Sequence, residues 1–405
     1  MLVMVPTSPP PWRRNLAVII VAEFIVLLAF SFVTPFFPLF IRQLGDYSET
    51  DAAFWAGIST SAAGIAMFLS SPLWGLLADR IGRKPMVLRA QFGSAVILSL
   101  AGLSPNVYFL IGARFLQGAL SGTVAAASAL VAAMTPRDRL PFAMGMLLLA
   151  VYGGNTIGPA LGGVMADAFG FRLTFFITGG LLALGGVIVL LFVKEDFERP
   201  EPGHGASLKD LVRLAGSRDI LPLLLVIGAL NLGPGMMSPI IPLFIAELGA
   251  ANPAAATSGL AFAIMGVIAA CSAIVAGRLA RRISLTKMLV FCCVGTGLLY
   301  LPPLFAHSPL QLVLFVSLTG LLTGGIVTAS NSLVGLSVPL SSQGAAYGLS
   351  QSASSLGGGL GPLLGGGIAP VIGLRSVFGV AGGLYVAVGA LATAVLARRL
   401  PQRPV

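Results

Sequence analysis

The chain has 405 residues, 56% of them hydrophobic and 9% charged, with a mean hydropathy of +0.95. Soluble domains carry roughly 25% charged residues and disordered chains need low hydrophobicity, so both classes are excluded. The net charge of +10 does not point to nucleic acid in so apolar a chain; it marks cytoplasmic loops, where Lys and Arg resist translocation and meet anionic lipid.

A hydrocarbon core about 30 Å thick takes about 20 apolar residues of helix. Charges and breakers divide the chain into twelve such stretches. The first, 15–41, follows Arg13-Arg14 and is too long for a signal-peptide core, so it is read as a span. Next come 54–78, 86–103, 107–133, 141–166 and 173–193. The long polar stretch 194–219 is read as a cytoplasmic linker between an N-terminal six-helix bundle (1–193) and a C-terminal one (220–405). The second set of spans is 220–246, 256–279, 285–304, 309–338, 343–369 and 374–397. With both termini cytoplasmic, Arg42, Arg172 and Arg375 are the basic residues left outside, a bias that sets the orientation.

The two halves repeat each other at about 203 residues. Pro35-Phe36-Phe37-Pro38-Leu39-Phe40-Ile41 returns as Pro239-Ile240-Ile241-Pro242-Leu243-Phe244-Ile245. Gly145, Gly154, Gly158, Pro159, Gly162 and Gly163 return spacing for spacing as Gly348, Gly357, Gly361, Pro362, Gly365 and Gly366. A parallel repeat of six helices places a substrate site between two bundles near the midplane, an arrangement general to one large transporter superfamily. The fold expected is all-α, with twelve membrane helices in two pseudo-symmetric bundles.

Three motifs carry chemistry. Gly75-x3-Asp79-Arg80-x-Gly82-Arg83-Lys84 joins spans two and three; its glycines allow close approach and a tight turn, and Asp79 can accept from a facing helix N-terminus or pair with Arg83. Arg114-x-x-Gln117-Gly118 puts a guanidinium in the membrane, where it must find a partner. The Gly/Pro pattern from Gly145 to Gly163 supplies close packing and a bend at Pro159, a hinge and seal.

These motifs resemble the major facilitator superfamily over essentially the whole chain. Within it the chain is similar to the twelve-span bacterial drug:proton antiporters of the MdtG type. The resemblance implies that the first motif latches the cytoplasmic side, that Arg114 is linked to proton coupling and that the span-five motif serves antiport. It also implies a multi-pass protein of the bacterial inner membrane.

Of fourteen acidic residues, Glu23 alone falls inside a span. Helical spacing puts it on one face with Leu27, Phe30 and Thr34. An intramembrane acid is functional by default, and one without water binds a proton or a cation in preference to standing alone. Glu23 is therefore the expected proton site, with drug and proton competing for it. The family pattern does not itself require an acid there. Direct pairing with Arg114 would need their depths to match, and the helical rise separates them by several ångströms. Phe30, Thr34, Tyr152, Asn155, Asn231, Asn331 and Gln351 are the expected cavity residues, through amide hydrogen bonds and aromatic contact.

Cys271, Cys292 and Cys293 lie in apolar runs, and His204 and His307 are isolated, so no disulfide framework, metal or cofactor is expected. No nucleotide-binding G-x4-G-K-[S/T] loop occurs and no catalytic cluster stands at membrane depth; neither an ATP-driven pump nor an enzyme is expected. Paired bends in both halves argue against an inert scaffold. The function expected is a monomeric secondary transporter taking small amphipathic, cationic or neutral drugs outward against protons. The alternative is a proton-coupled exporter or flippase of a lipid, glycolipid or sugar.

Overall fold

The computed structural model describes residues 12–136, 139–195, 213, 215–217, 220–249, 254–280, 282–337 and 343–396, without the side chains of 72, 76, 79, 80, 141, 335, 343–348 and 394–396. Most of the expected linker, 194–219, lies outside the described residues. Among these residues the first half forms α1 (Trp12–Phe32), α2 (Phe37–Gln43), α3 (Glu49–Ile81), α4 (Arg83–Gly102), α5 (Val107–Leu120), α6 (Thr123–Met134), α7 (Leu140–Phe169) and α8 (Phe171–Phe192). The second half forms α9 (Leu221–Glu247), α10 (Ala254–Leu279), α11 (Leu285–Leu299), a 3-10 turn (Pro302–Phe305), α12 (Pro309–Leu336), α13 (Gln343–Ile372) and α14 (Leu374–Leu396). Among the described residues twelve stretches are long and apolar enough to cross a membrane.

Three expected spans are not single helices. Residues 15–41 divide between α1 and α2, because Pro35 and Pro38 interrupt the backbone ladder and the chain turns over Val33–Phe36. Residues 107–133 divide at Ser121-Gly122, where Gly122 is left-handed at φ +103°. The ninth span ends in the proline-rich 3-10 turn. Conversely, α3 extends the expected 54–78 at both ends. Ser48 caps it by accepting from the Asp51 amide, and Glu49 and Asp51 suit the positive helix start.

In the first half α1 packs on α7 and α8, α4 on α8, and α3 on α5; in the second, α9 packs on α13, α10 on α12, and α11 on α14. The repeat is visible in side chains. Arg172 donates to the carbonyls of Gly102 and Ser104 and lies over Phe40. Arg375 donates to those of Leu304 and Ala306 and lies over Phe244.

Glycines set the spacing within each half. Cβ atoms added at Gly154 and Gly158 would strike the α1 backbone at Phe24 and Leu28, and one at Gly162 would strike Phe32. Their repeats Gly357, Gly361 and Gly365 meet α9 at Gly228, Leu232 and Met236 in the same way. Side chains there would force the helices apart, so the stripes fix interhelix distance.

The halves meet chiefly through α3 against α13 and α7 against α10, and the tight contacts lie toward one end. Gly57 faces the Pro362 carbonyl, Gly64 faces Gly359, and Gly366 faces Ala53. On the other side Gly259 faces the Pro159 carbonyl and Gly163 faces Ala255. Hydrogen bonds join the halves there, among them Leu363 N to Ser61 Oγ at 3.1 Å and Ala256 N to the Asp167 carboxylate at 2.7 Å. By helical rise the α3 seam ends about 22 Å from Glu49, at Gly64. Beyond it no described glycine of α3, α7, α10 or α13 lies against the other half: Gly75, Gly145 and Gly277 have nothing within 4 Å of an added Cβ. The halves form a cleft, closed at one end and open at the end that holds both described chain ends.

Candidate functional site

At the apex of the cleft, between α3, α5 and α13, lies a cavity of about 300 Å³ whose lining includes Thr60, Met67, Arg114, Gln117, Ser121 and Ser355. Arg114 Nη1 donates to Gln117 Oε1 at 2.7 Å, one helical turn on, and the guanidinium carbon lies 4.9 Å from the Phe37 ring centre. Nε is buried with no partner among the described residues. The guanidinium is thus oriented by an amide and an aromatic face, with no carboxylate partner among the described residues.

Glu23 is fully buried inside the N-terminal half. Gln91 of α4 donates to Oε1 at 3.2 Å, Thr123 of α6 stands beside the carboxyl, and Oε2 has no hydrogen-bond partner among the described residues. The expected shared face with Leu27, Phe30 and Thr34 does not bring Glu23 to the cavity; Phe30 and Thr34 are partly exposed while the acid is enclosed. No ion pair joins Glu23 to Arg114 among the described residues. Acid and base occupy separate places in one bundle.

The break between α5 and α6 lies between them. It leaves carbonyls without helical partners, and side chains take them up. Trp74 Nε1 donates to Ala119 O at 2.7 Å and Arg89 Nη2 to Ser121 O at 3.2 Å, with the Arg89 guanidinium 3.8 Å from the Trp74 ring centre. A cation at the C-terminal stub and an acid beside the first residue of α6 match the half-helix dipoles. No motif in the sequence marks Arg89, Trp74 or Gln91. A Ser-Gly pair followed by renewed helix was the available signal, masked by 51 glycines.

The repeat isolates what is special here. In the register pairing Asn106 with Ser308 and Gly118 with Gly320, Arg114 corresponds to Val316 and Gln117 to Thr319; in the register pairing Pro35 with Pro239, Glu23 corresponds to Ile227. The scaffold is shared, but the membrane charges belong to the first half.

The gate motif lies at the open end, where Gly82 turns the chain at φ +102°. The Arg83 and Lys84 amides donate to the two carboxylate oxygens of Glu195 at 2.8 Å each, and Lys84 Nζ donates to the carbonyls of Leu190 and Val193. Glu195 thus caps the start of α4 and Lys84 the end of α8, a reciprocal use of helix dipoles. Glu195 was not anticipated. The side chains of Asp79 and Arg80 lie outside the described residues.

The remaining candidates scatter. Asn155 accepts from Ser31 at 2.7 Å across the α1–α7 contact, and Asn231 donates to Ile227 O and Ser354 Oγ within the second half. Tyr152, Asn331 and Gln351 are exposed. None of Phe30, Thr34, Tyr152, Asn155, Asn231, Asn331 and Gln351 lines the cavity at Arg114.

Two six-helix bundles closed on each other at one end, around a midplane cavity, define a secondary-transporter architecture. The Major Facilitator Superfamily model matches residues 19–302 and 223–405, and the chain belongs to that superfamily. It is 34% identical over 370 residues to the multi-drug resistance efflux pump PmrA of Streptococcus pneumoniae serotype 4, covering 91% of this chain and 92% of that protein. It is 33% identical over 378 residues to the multidrug resistance protein MdtG of Salmonella arizonae, covering 93% and 94%. Among solved structures, the nucleoside transporter NupG superposes with a TM-score of 0.74 at 12% identity, covering 94% of this chain and 99% of that one. A bacterial homolog of the human lysosomal transporter Spinster, inward-facing and occupied, gives 0.72 at 15% identity, covering 96% of both chains. These structures share the fold.

Proposed function

We propose that the protein exports small amphipathic drugs across the bacterial inner membrane in exchange for protons, by alternating access. The observation that carries this reading is the confinement of tight inter-half contacts to one end of a two-bundle fold. A seam built from glycine, alanine and proline backbone can part without exposing large unsatisfied surfaces. Residues 1–193 and 220–405 would then rock about the midplane as two bodies. The bias of basic residues makes the open end cytoplasmic, so the conformation is inward-open. Relatives named as multidrug pumps favour drug export over export of a lipid, glycolipid or sugar.

In this mechanism Glu23 carries the proton and Arg114 stands in the substrate cavity. The α5–α6 segment links them: the Arg114 motif ends α5 and Thr123 opens α6 beside Glu23. A proton arriving at Glu23 removes the negative charge facing α6; substrate entering at Arg114 acts on α5. In the outward-open state the segment from Gly75 to Lys84 would close on the second half, with Asp79 and Arg80 forming the latch. The cytoplasmic surface then seals as the Asp167–Ala256 contact opens.

The test is proton release from purified protein in weak buffer, on adding a panel of amphipathic drugs, with Glu23→Gln alongside. Release by the wild type and none by a variant that still binds drug supports the assignment. Equal release by both moves the proton elsewhere and overturns Glu23.

A further inference from the structure

We infer that the cavity at Arg114 selects amphipathic anions: molecules with a sulfonate, carboxylate or acidic phenol on an apolar aromatic body. The inference rests on this cavity being the transport site proposed above, and it names the substrate class.

The argument begins with charge. Arg114 is the charged residue in the cavity lining. Its Nη1 is held by the neutral Gln117 and its Nε has no partner among the described residues, and no carboxylate among them pairs with it. A second guanidinium, Arg89, donates to the carbonyl of Ser121, itself a lining residue. On the opposite wall, α13 is uncharged from Gln343 to Ile372.

Among the described residues no acid balances these cations. Glu23 is wholly enclosed and turned to Gln91. Among the described residues, Asp46, Glu49, Asp51, Asp167 and Glu247 stand at the closed end, and Glu195 is held by the Arg83 and Lys84 amides. A guanidinium in a low-dielectric cleft without a counter-ion attracts an anion and repels a cation. Thr60 and Ser355 add hydroxyl donors, Met67 and the glycine walls add apolar surface, and 300 Å³ suits a bicyclic aromatic. Orientation adds a further push: with the cytoplasm negative, the membrane potential drives an anion outward.

This reverses the expectation of cationic drugs, which depended on Glu23 facing the cavity. The repeat supports it independently. Arg114 corresponds to Val316, so the charge belongs to the first half and not to the repeated scaffold.

The experiment uses three probes on one naphthalene body: a sulfonate, an uncharged sulfonamide and a quaternary ammonium. Their binding to purified full-length protein is measured calorimetrically, for wild type, Arg114→Gln and Arg114→Lys. The sulfonate should bind at least about tenfold tighter than the ammonium. Arg114→Gln should lose about tenfold or more for the sulfonate, the sulfonamide should shift less than about threefold, and Arg114→Lys should keep part of the preference. Equal or tighter binding of the ammonium overturns the inference, as does an unchanged sulfonate affinity in Arg114→Gln, or no binding of any probe. Should Arg114→Gln not fold, the wild-type preference and Arg114→Lys decide. Proton-driven uptake of the ammonium would sink the anion class and keep the exporter. Sulfonate binding without proton-driven uptake of any probe would sink the exporter and keep the anion class.

Discussion

Glu23 has one oxygen on Gln91 and the other without a hydrogen-bond partner among the described residues. Replacing it by Gln keeps the volume and removes a charge the interior does not fully compensate. Glu23→Gln should therefore fold with a stability within about 1 kcal/mol of the wild type, measured by thermal melting in detergent. Glu23→Lys, which puts an amine against the Gln91 amide donor, should express poorly. A Gln variant several kcal/mol less stable would mean that the acid is a structural keystone. That Glu23 is buried was legible, because it is the one acid in an apolar run. The direction it faces was not. A 40° arc on α1 includes Leu27, Phe30 and Thr34, but the side chain's partners come from α4 and α6, remote in sequence. Arg114 shows the converse: its partner Gln117, three residues on, could be read directly.

At the scale of elements, the α5–α6 break is the feature least visible in sequence and most exposed to test. Gly122 holds a left-handed backbone at φ +103°. Gly122→Ala should cost about 1–2 kcal/mol, since a Cβ clashes in that region. Arg89→Leu leaves the Ser121 carbonyl unpaired and should cost about 1–3 kcal/mol. Both are read by melting temperature, and both should impair transport more than drug binding. A stable Gly122→Ala with full transport would contradict a role for the break. The glycine stripes behaved otherwise. Their spacing, copied between spans five and eleven, predicted close helix packing, and Gly154, Gly158 and Gly162 lie against the α1 backbone. A repeated pattern is legible because two copies share a register. A single Ser-Gly interruption has no copy to mark it.

The whole molecule is two copies of a helical scaffold, one of which carries the membrane charges. The scaffold and its topology were readable because length, hydropathy and repeat are global properties. The state of the cleft was not, because either end could close with the same sequence. Closure at the end remote from the described chain ends makes a geometric prediction. In a background lacking Cys271, Cys292 and Cys293, cysteines at Ser61 and Leu363 should cross-link readily, abolish transport and release it on reduction. Asp167→Ala removes a carboxylate from the start of α10, an interaction worth about 0.3–1 kcal/mol, and should shift the population outward-open, seen as slower cross-linking. Faster cross-linking in that variant would contradict the latch. The most direct test of proton-driven export is uptake into proteoliposomes with an acidic lumen. The probe should be a permanently charged amphipath that the protein binds. The wild type should accumulate it above equilibrium as protons leave, collapse the gradient faster than empty vesicles and lose accumulation with a protonophore. Glu23→Gln should exchange probe downhill but accumulate none. Accumulation by Glu23→Gln equal to the wild type, or by the wild type without a proton gradient, would contradict the account.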